Sequence, residues 1–149
     1  MQGFWEGIYR NRAFWAIVTT IFVAQVLKIF TGLIKDKKFN FFWVMGTGGM
    51  PSAHSAAVVS LVVCVAKEAG TGSILFAMSV LFAVINMFDA QTWRRSIGFQ
   101  AKVLNRMVED FQEGKKIGES RLRELVGHTP IEVFIGAIVG IVVTLFFYR

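Results

Sequence analysis

Apolar residues along this chain fall into four long blocks separated by polar and charged stretches, and no block shows the strict alternation of a half-buried strand. A helix that crosses a bilayer needs about 20 mostly apolar residues. The blocks therefore predict membrane helices over residues 13–34, 51–68, 73–90 and 131–148. The second and third are short for a span, so polar residues at their ends sit at headgroup level. The loop over residues 91–129 has a pattern of its own. Ala101, Leu104, Met107, Val108 and Phe111 recur at helical spacing between charges, predicting an extension of the third helix or an amphipathic helix over about 91–112, of the kind that lies on a membrane surface. A Gly-containing turn over 113–119 and a short helix over 120–126 follow. The predicted fold is all-α: residues 1–149 form one polytopic bundle of about four transmembrane helices plus an amphipathic cytoplasmic helix.

Composition agrees with a membrane protein: 54% of the 149 residues are hydrophobic, and mean hydropathy is +0.55. The single cysteine, Cys64, sits in an apolar run, which excludes an intrachain disulfide or a cysteine-based metal cluster. Arg10 and Arg12 precede the first block and no small-residue cleavage pattern follows it, so that block reads as a retained anchor.

A net charge of +6 is explained by orientation, with no nucleic-acid partner required. The face holding both termini and the Lys67 turn carries four Lys and Arg residues, against eleven on the face made by the two longer loops. The second face is therefore predicted to be cytoplasmic in a multi-pass protein of the cell membrane. Trp5, Trp15, Trp43 and Trp93 near span ends read as interfacial anchors. Gly136 and Gly140 make a small-xxx-small pair, which packs within the bundle or forms the seam of a homodimer.

Two histidines fall on the basic face at the starts of long apolar helices, in Gly48-Gly49-Met50-Pro51-Ser52-Ala53-His54 and in Gly127-His128-Thr129-Pro130-Ile131-Glu132. A helix N-terminus offers free N–H groups and a positive dipole end to a phosphoryl group. Gly49 permits close backbone approach and Ser52 can add a hydroxyl, although Pro51 and Ser52 are also ordinary helix-start residues. A histidine nucleophile needs its second nitrogen held, commonly by a carboxylate, and Glu132 lies one turn beyond His128. Thr129-Pro130-Ile131-Glu132 is equally a capping box. His54 is placed to act as the general acid. Lys28, Lys35, Arg94 and Arg95 can neutralise phosphate oxygens, their bland role being orientation or snorkelling.

These residues resemble the type 2 phosphatidic acid phosphatase and vanadium haloperoxidase superfamily, and within it the divergent PAP2 branch. The resemblance is carried by Pro51-Ser52-Ala53-His54, by His128 through Val133 with Gly136-Ala137 in the same helix, and by the segment from Arg94-Arg95 through Gln100-Ala101 to Leu104-Asn105. It implies a PAP2-like core and hydrolysis of a phospholipid or isoprenoid phosphate, monoester or diphosphate, with inhibition by vanadate and no metal or other cofactor. His128 would be the nucleophile, Glu132 its orienting partner and His54 the acid and then the base. Lys28, Ser52 and Arg95 would hold the phosphate. The pattern departs in three places: Lys35-Asp36 stands where Arg-Pro is usual, Glu132 replaces an aspartate, and Leu122 occupies the position of an arginine. Arg95 or Arg94, closing the preceding helix, and Arg123 are the arginines left to fill that place. A binding or transport protein that keeps the cradle without turnover is the alternative.

Overall fold

The computed structural model describes residues 2–37, 49–111 and 128–149. Among these residues every regular element is an α-helix: α1 (Gln2–Arg10), α2 (Arg12–Asp36), α3 (Ala53–Glu68), α4 (Ile74–Gln91), α5 (Trp93–Phe111) and α6 (Pro130–Phe147). Local chemistry sets the breaks. Asn11 separates α1 from α2 and caps the latter by accepting the Phe14 N–H at 2.8 Å. Ser52 and Ser73 cap α3 and α4 in the same way, each satisfying one of the donors that a helix start leaves without an intrahelical partner. Lys37, in the left-handed region at φ 52°, closes α2 with its N–H on the Leu33 carbonyl.

Among the described residues three helices are long and apolar enough to cross a membrane: Arg12–Ile34 within α2, Ile74–Gln91 and Pro130–Phe147. The second block, already short for a span in the sequence, forms the shortest of the four helices expected to cross. α3 has 16 residues, about 24 Å at 1.5 Å per residue, against a hydrocarbon core of roughly 30 Å. It packs against α2, α4 and α6, so much of its surface meets protein instead of lipid. The amphipathic helix expected over 91–112 is present as α5, while the turn and short helix expected over 113–126 lie outside the described residues.

A stripe of small and hydroxyl-bearing residues runs through the centre of the bundle. α2 supplies Ala16, Thr20 and Ala24, with buried Lys28 one turn further on; α3 supplies Ala56, Ser60 and Cys64 beyond its cap Ser52, and α6 supplies Gly136, Gly140 and Thr144, all buried. A four-residue recurrence keeps each set on one slowly drifting face of its helix. The small residues let backbones meet: a Cβ on Gly140 would stand 2.5 Å from the Ala56 carbonyl oxygen, and one on Gly136 would overlap the Ser52 carbonyl. The Gly136–Gly140 pair is therefore used inside the bundle, against α3, and is not available as a homodimer seam. Midway along, the hydroxyls of Thr20 and Thr144 both donate to Ser60 Oγ, at 3.3 and 2.7 Å. At the far end Tyr148 donates to Glu68, and the Arg12 guanidinium lies 4.9 Å over the Tyr148 ring. Trp5 and Trp15 are exposed, as interfacial anchors would be; Trp43 and the Trp93 side chain lie outside the described residues.

Candidate functional site

α3 and α6 start on the same side of the bundle, and their first turns are tied by the Ser52 N–H donating to the Glu132 carbonyl at 3.0 Å. This register places His54 and His128 together, with ring centroids 6.4 Å apart. His54 is exposed and His128 is only 5% exposed, so one imidazole faces outward while the other is held inside. The His128 N–H donates to the Ala90 carbonyl at 3.1 Å, one of the acceptors that the end of α4 leaves without an intrahelical partner. The excursion that begins after α4 therefore returns to the point where it left.

Glu132 performs both roles that its position allows. Its Oε2 lies 3.0 Å from His128 Nδ1 and also accepts the Thr129 N–H at 3.1 Å, while Thr129 Oγ1 accepts the Glu132 N–H at 3.4 Å. The capping box and the histidine clamp share one oxygen. A carboxylate oxygen is an acceptor, so the proton of the histidine bond sits on Nδ1, and a neutral imidazole then carries its lone pair on Nε2. A carboxylate that holds Nδ1–H in this way leaves Nε2 free of its proton, as a nucleophilic histidine requires.

Ser52 is fully buried, and its Oγ accepts the N–H of Ser55 at 3.3 Å and the Ser55 hydroxyl at 3.1 Å. With two donors on its lone pairs, its own proton is available to a third group. Lys28, near the same end of α2, is only 7% exposed. Its burial sets it apart from a snorkelling lysine, whose head stays in water. Gly49, at φ +90°, packs against the Lys28 stem: a Cβ there would stand 3.2 Å from Lys28 Cε. Thr31 ties the two together by donating to the carbonyls of Lys28 and Met50.

His54, His128, Glu132, Ser52, Gly49 and Lys28 are thus gathered at one end of the α2–α3–α6 core. Lys35 stands in the last turn of α2, and Arg94 and Arg95 stand in the first turn of α5, near the Ala90 anchor, but the side chains of all three lie outside the described residues. Arg123 lies outside them altogether. The sequence reading missed Ser55, Thr31 and the Thr20–Ser60–Thr144 layer. The signal for most of these was present as the four-residue recurrence of small and polar residues within three apolar blocks.

What this end of the bundle offers chemically is an anion cradle. Two helix N-termini, a buried lysine and a buried serine hydroxyl meet a clamped imidazole with a second imidazole beside it. Compared with known proteins, the chain matches, over residues 9–143, the model of a family described as the divergent PAP2 family. It is 45% identical over 139 residues to an uncharacterized membrane protein, YuiD, of Bacillus subtilis (strain 168), a match that covers 86% of this chain and 88% of that protein. No solved structure matches.

Proposed function

The chain belongs to the divergent PAP2 family, and on that premise we propose that this polytopic helical membrane protein is a phosphatase of lipid phosphate monoesters or diphosphates, acting at the cytoplasmic face. The observation that carries this reading is the clamped pair: His128 Nδ1 is 3.0 Å from Glu132 Oε2, and the His54 ring centre is 6.4 Å from that of His128. His128 Nε2 attacks phosphorus, the P–N bond forms, and the P–O bond to the lipid breaks. The leaving oxygen, an alkoxide from a monoester or the lipid-bound phosphate from a diphosphate, takes its proton from the His54 imidazolium. Neutral His54 then removes a proton from water, whose oxygen displaces His128 and releases inorganic phosphate. Lys28, the Ser52 hydroxyl and the first turns of α3 and α6 stabilise the equatorial oxygens, a task for which preorganised donors are well suited. An arginine, Arg94, Arg95 or Arg123, joins them.

The test is phosphate release by the purified protein across a panel of lipid phosphates without added metal, with His128→Ala in parallel. Release that disappears in the variant supports the reading; equal release from folded parent and variant refutes it, as does no release from folded parent on any lipid. Vanadate inhibition of the parent is the accompanying expectation.

A second reading, an anionic-lipid binding or transport protein on the same scaffold, draws on the capping box. Because the Glu132 oxygen that holds His128 also caps α6, the residue has a structural reason to be there without turnover. Lipid phosphate binding that survives His128→Ala and His54→Ala, with no hydrolysis by the parent, selects this reading.

A further inference from the structure

One amphipathic element meets the core only along its inner edge and the proposed site only through its first turn, leaving most of its surface unused. α5 packs chiefly against α4, with Gly98 and Ala101 buried on its inner edge. Phe99, Val103, Leu104, Met107 and Val108 are left 43% to 68% exposed. At 3.6 residues per turn these five large apolar side chains lie within one half of the helix surface, which exposed Gln100 interrupts, and Lys102, Arg106 and Glu109, all exposed, lie in the other half. An apolar face of this kind marks an interaction surface, since water-facing helices seldom carry one.

We propose that α5 lies on the lipid surface of the bilayer, with its apolar half in the headgroup–acyl boundary and a preference for anionic lipid. Two observations commit it to this occupant. The first is continuity: α4, a spanning helix, ends at Gln91 and α5 begins at Trp93, so only Thr92 separates the end of the span from the start of the amphipathic helix. Phe82, Ile85 and Phe88 of α4 are likewise exposed, so the lipid-facing surface reaches the junction. The second is charge. Within 93–111 four basic residues stand against two acidic ones, a balance that favours anionic headgroups over a purely zwitterionic surface.

The full chain in nanodiscs, open to iodide from both faces, tests the idea. Cysteines are introduced singly at Leu104, Val108, Lys102 and Glu109 and given a fluorescent label; native Cys64 is buried in the bundle and out of reach. Nitroxide-bearing lipid should quench Leu104→Cys and Val108→Cys and iodide should not, with the opposite order at Lys102→Cys and Glu109→Cys. Replacing phosphatidylglycerol with phosphatidylcholine, or adding Lys102→Glu with Arg106→Glu, should reduce the lipid quenching at 104. Iodide reaching all four positions alike would overturn the proposal. Protection at 104 and 108 without lipid quenching would overturn it too, because protein, a second copy or another part of this chain, would then cover the face. Indifference to lipid charge would overturn the anionic preference.

Discussion

Replacing Gly140 with alanine tests the close α3–α6 contact on which the site depends, and competing effects make the sign of the result informative. Alanine favours a helix over glycine by about 0.8–1.0 kcal/mol, so a loosely packed α6 would be stabilised by the change. Here the new methyl would stand 2.5 Å from the Ala56 carbonyl oxygen and 3.2 Å from the Ser60 nitrogen. Both are backbone atoms of a helix and cannot swing aside. Restoring ordinary contact requires the two helices to part by about 1 Å, an overpacking strain of about 1–3 kcal/mol. The same movement would stretch the 2.7 Å Thr144–Ser60 bond past useful length, at a further ~0.6 kcal/mol. The expected net outcome is destabilisation by about 0.6–2.8 kcal/mol after the propensity gain is subtracted. Gly7→Ala, in helix α1 with nothing within 4 Å of the added methyl, is the matched control and should be neutral or slightly stabilising. Thermal unfolding followed by tryptophan fluorescence in detergent measures both. If Gly140→Ala unfolds at or above the midpoint of Gly7→Ala, the claimed backbone contact does not exist. Gly136→Ala, one turn nearer the histidines, adds a functional readout. A shift of about 1 Å in catalytic groups can cost on the order of 100-fold in rate, so activity should fall further than stability does.

Two other substitutions separate roles that the structure superimposes. Thr129→Ala removes the cap but leaves the Glu132–His128 bond, so it should cost about 1 kcal/mol of stability with most activity retained, whereas Glu132→Ala should lose both; equal activity in the two variants would show that the histidine clamp is idle. Ser60→Ala removes the shared acceptor of Thr20 and Thr144 and should cost about 0.6–1.7 kcal/mol, read by thermal unfolding, with a double variant carrying Thr144→Val costing less than the sum of the two changes.

Much of the architecture follows from short-range chemistry and was readable in the chain. Blocks of apolar residues bounded by Asn11, Ser52, Ser73 and Thr129 specify helices because each cap is chosen within three residues of its own backbone. The helix over Trp93–Phe111 was legible for the same reason, its period being a local property. The two histidine motifs also announced themselves, since each sits in a few contiguous residues at a helix start. What a single chain pattern cannot express is which face meets which. The length of α3 is tolerable because α2, α4 and α6 surround it, and only their packing decides that. Gly136 and Gly140 read equally well as a seam for a second copy until the carbonyls of Ser52 and Ala56 are seen against them. The choice between cap and clamp at Glu132 was a false one, because Oε2 has lone pairs for two donors and the fold brings both. The 6.4 Å between the imidazole rings likewise depends on the α3–α6 register, joining positions 74 residues apart in the chain. The sequence by itself determined the helices and their apolar, membrane-spanning character, because propensity and hydropathy act over a few residues. Tertiary packing alone decided the neighbours, because contacts between distant segments arise only when whole faces of helices fit together.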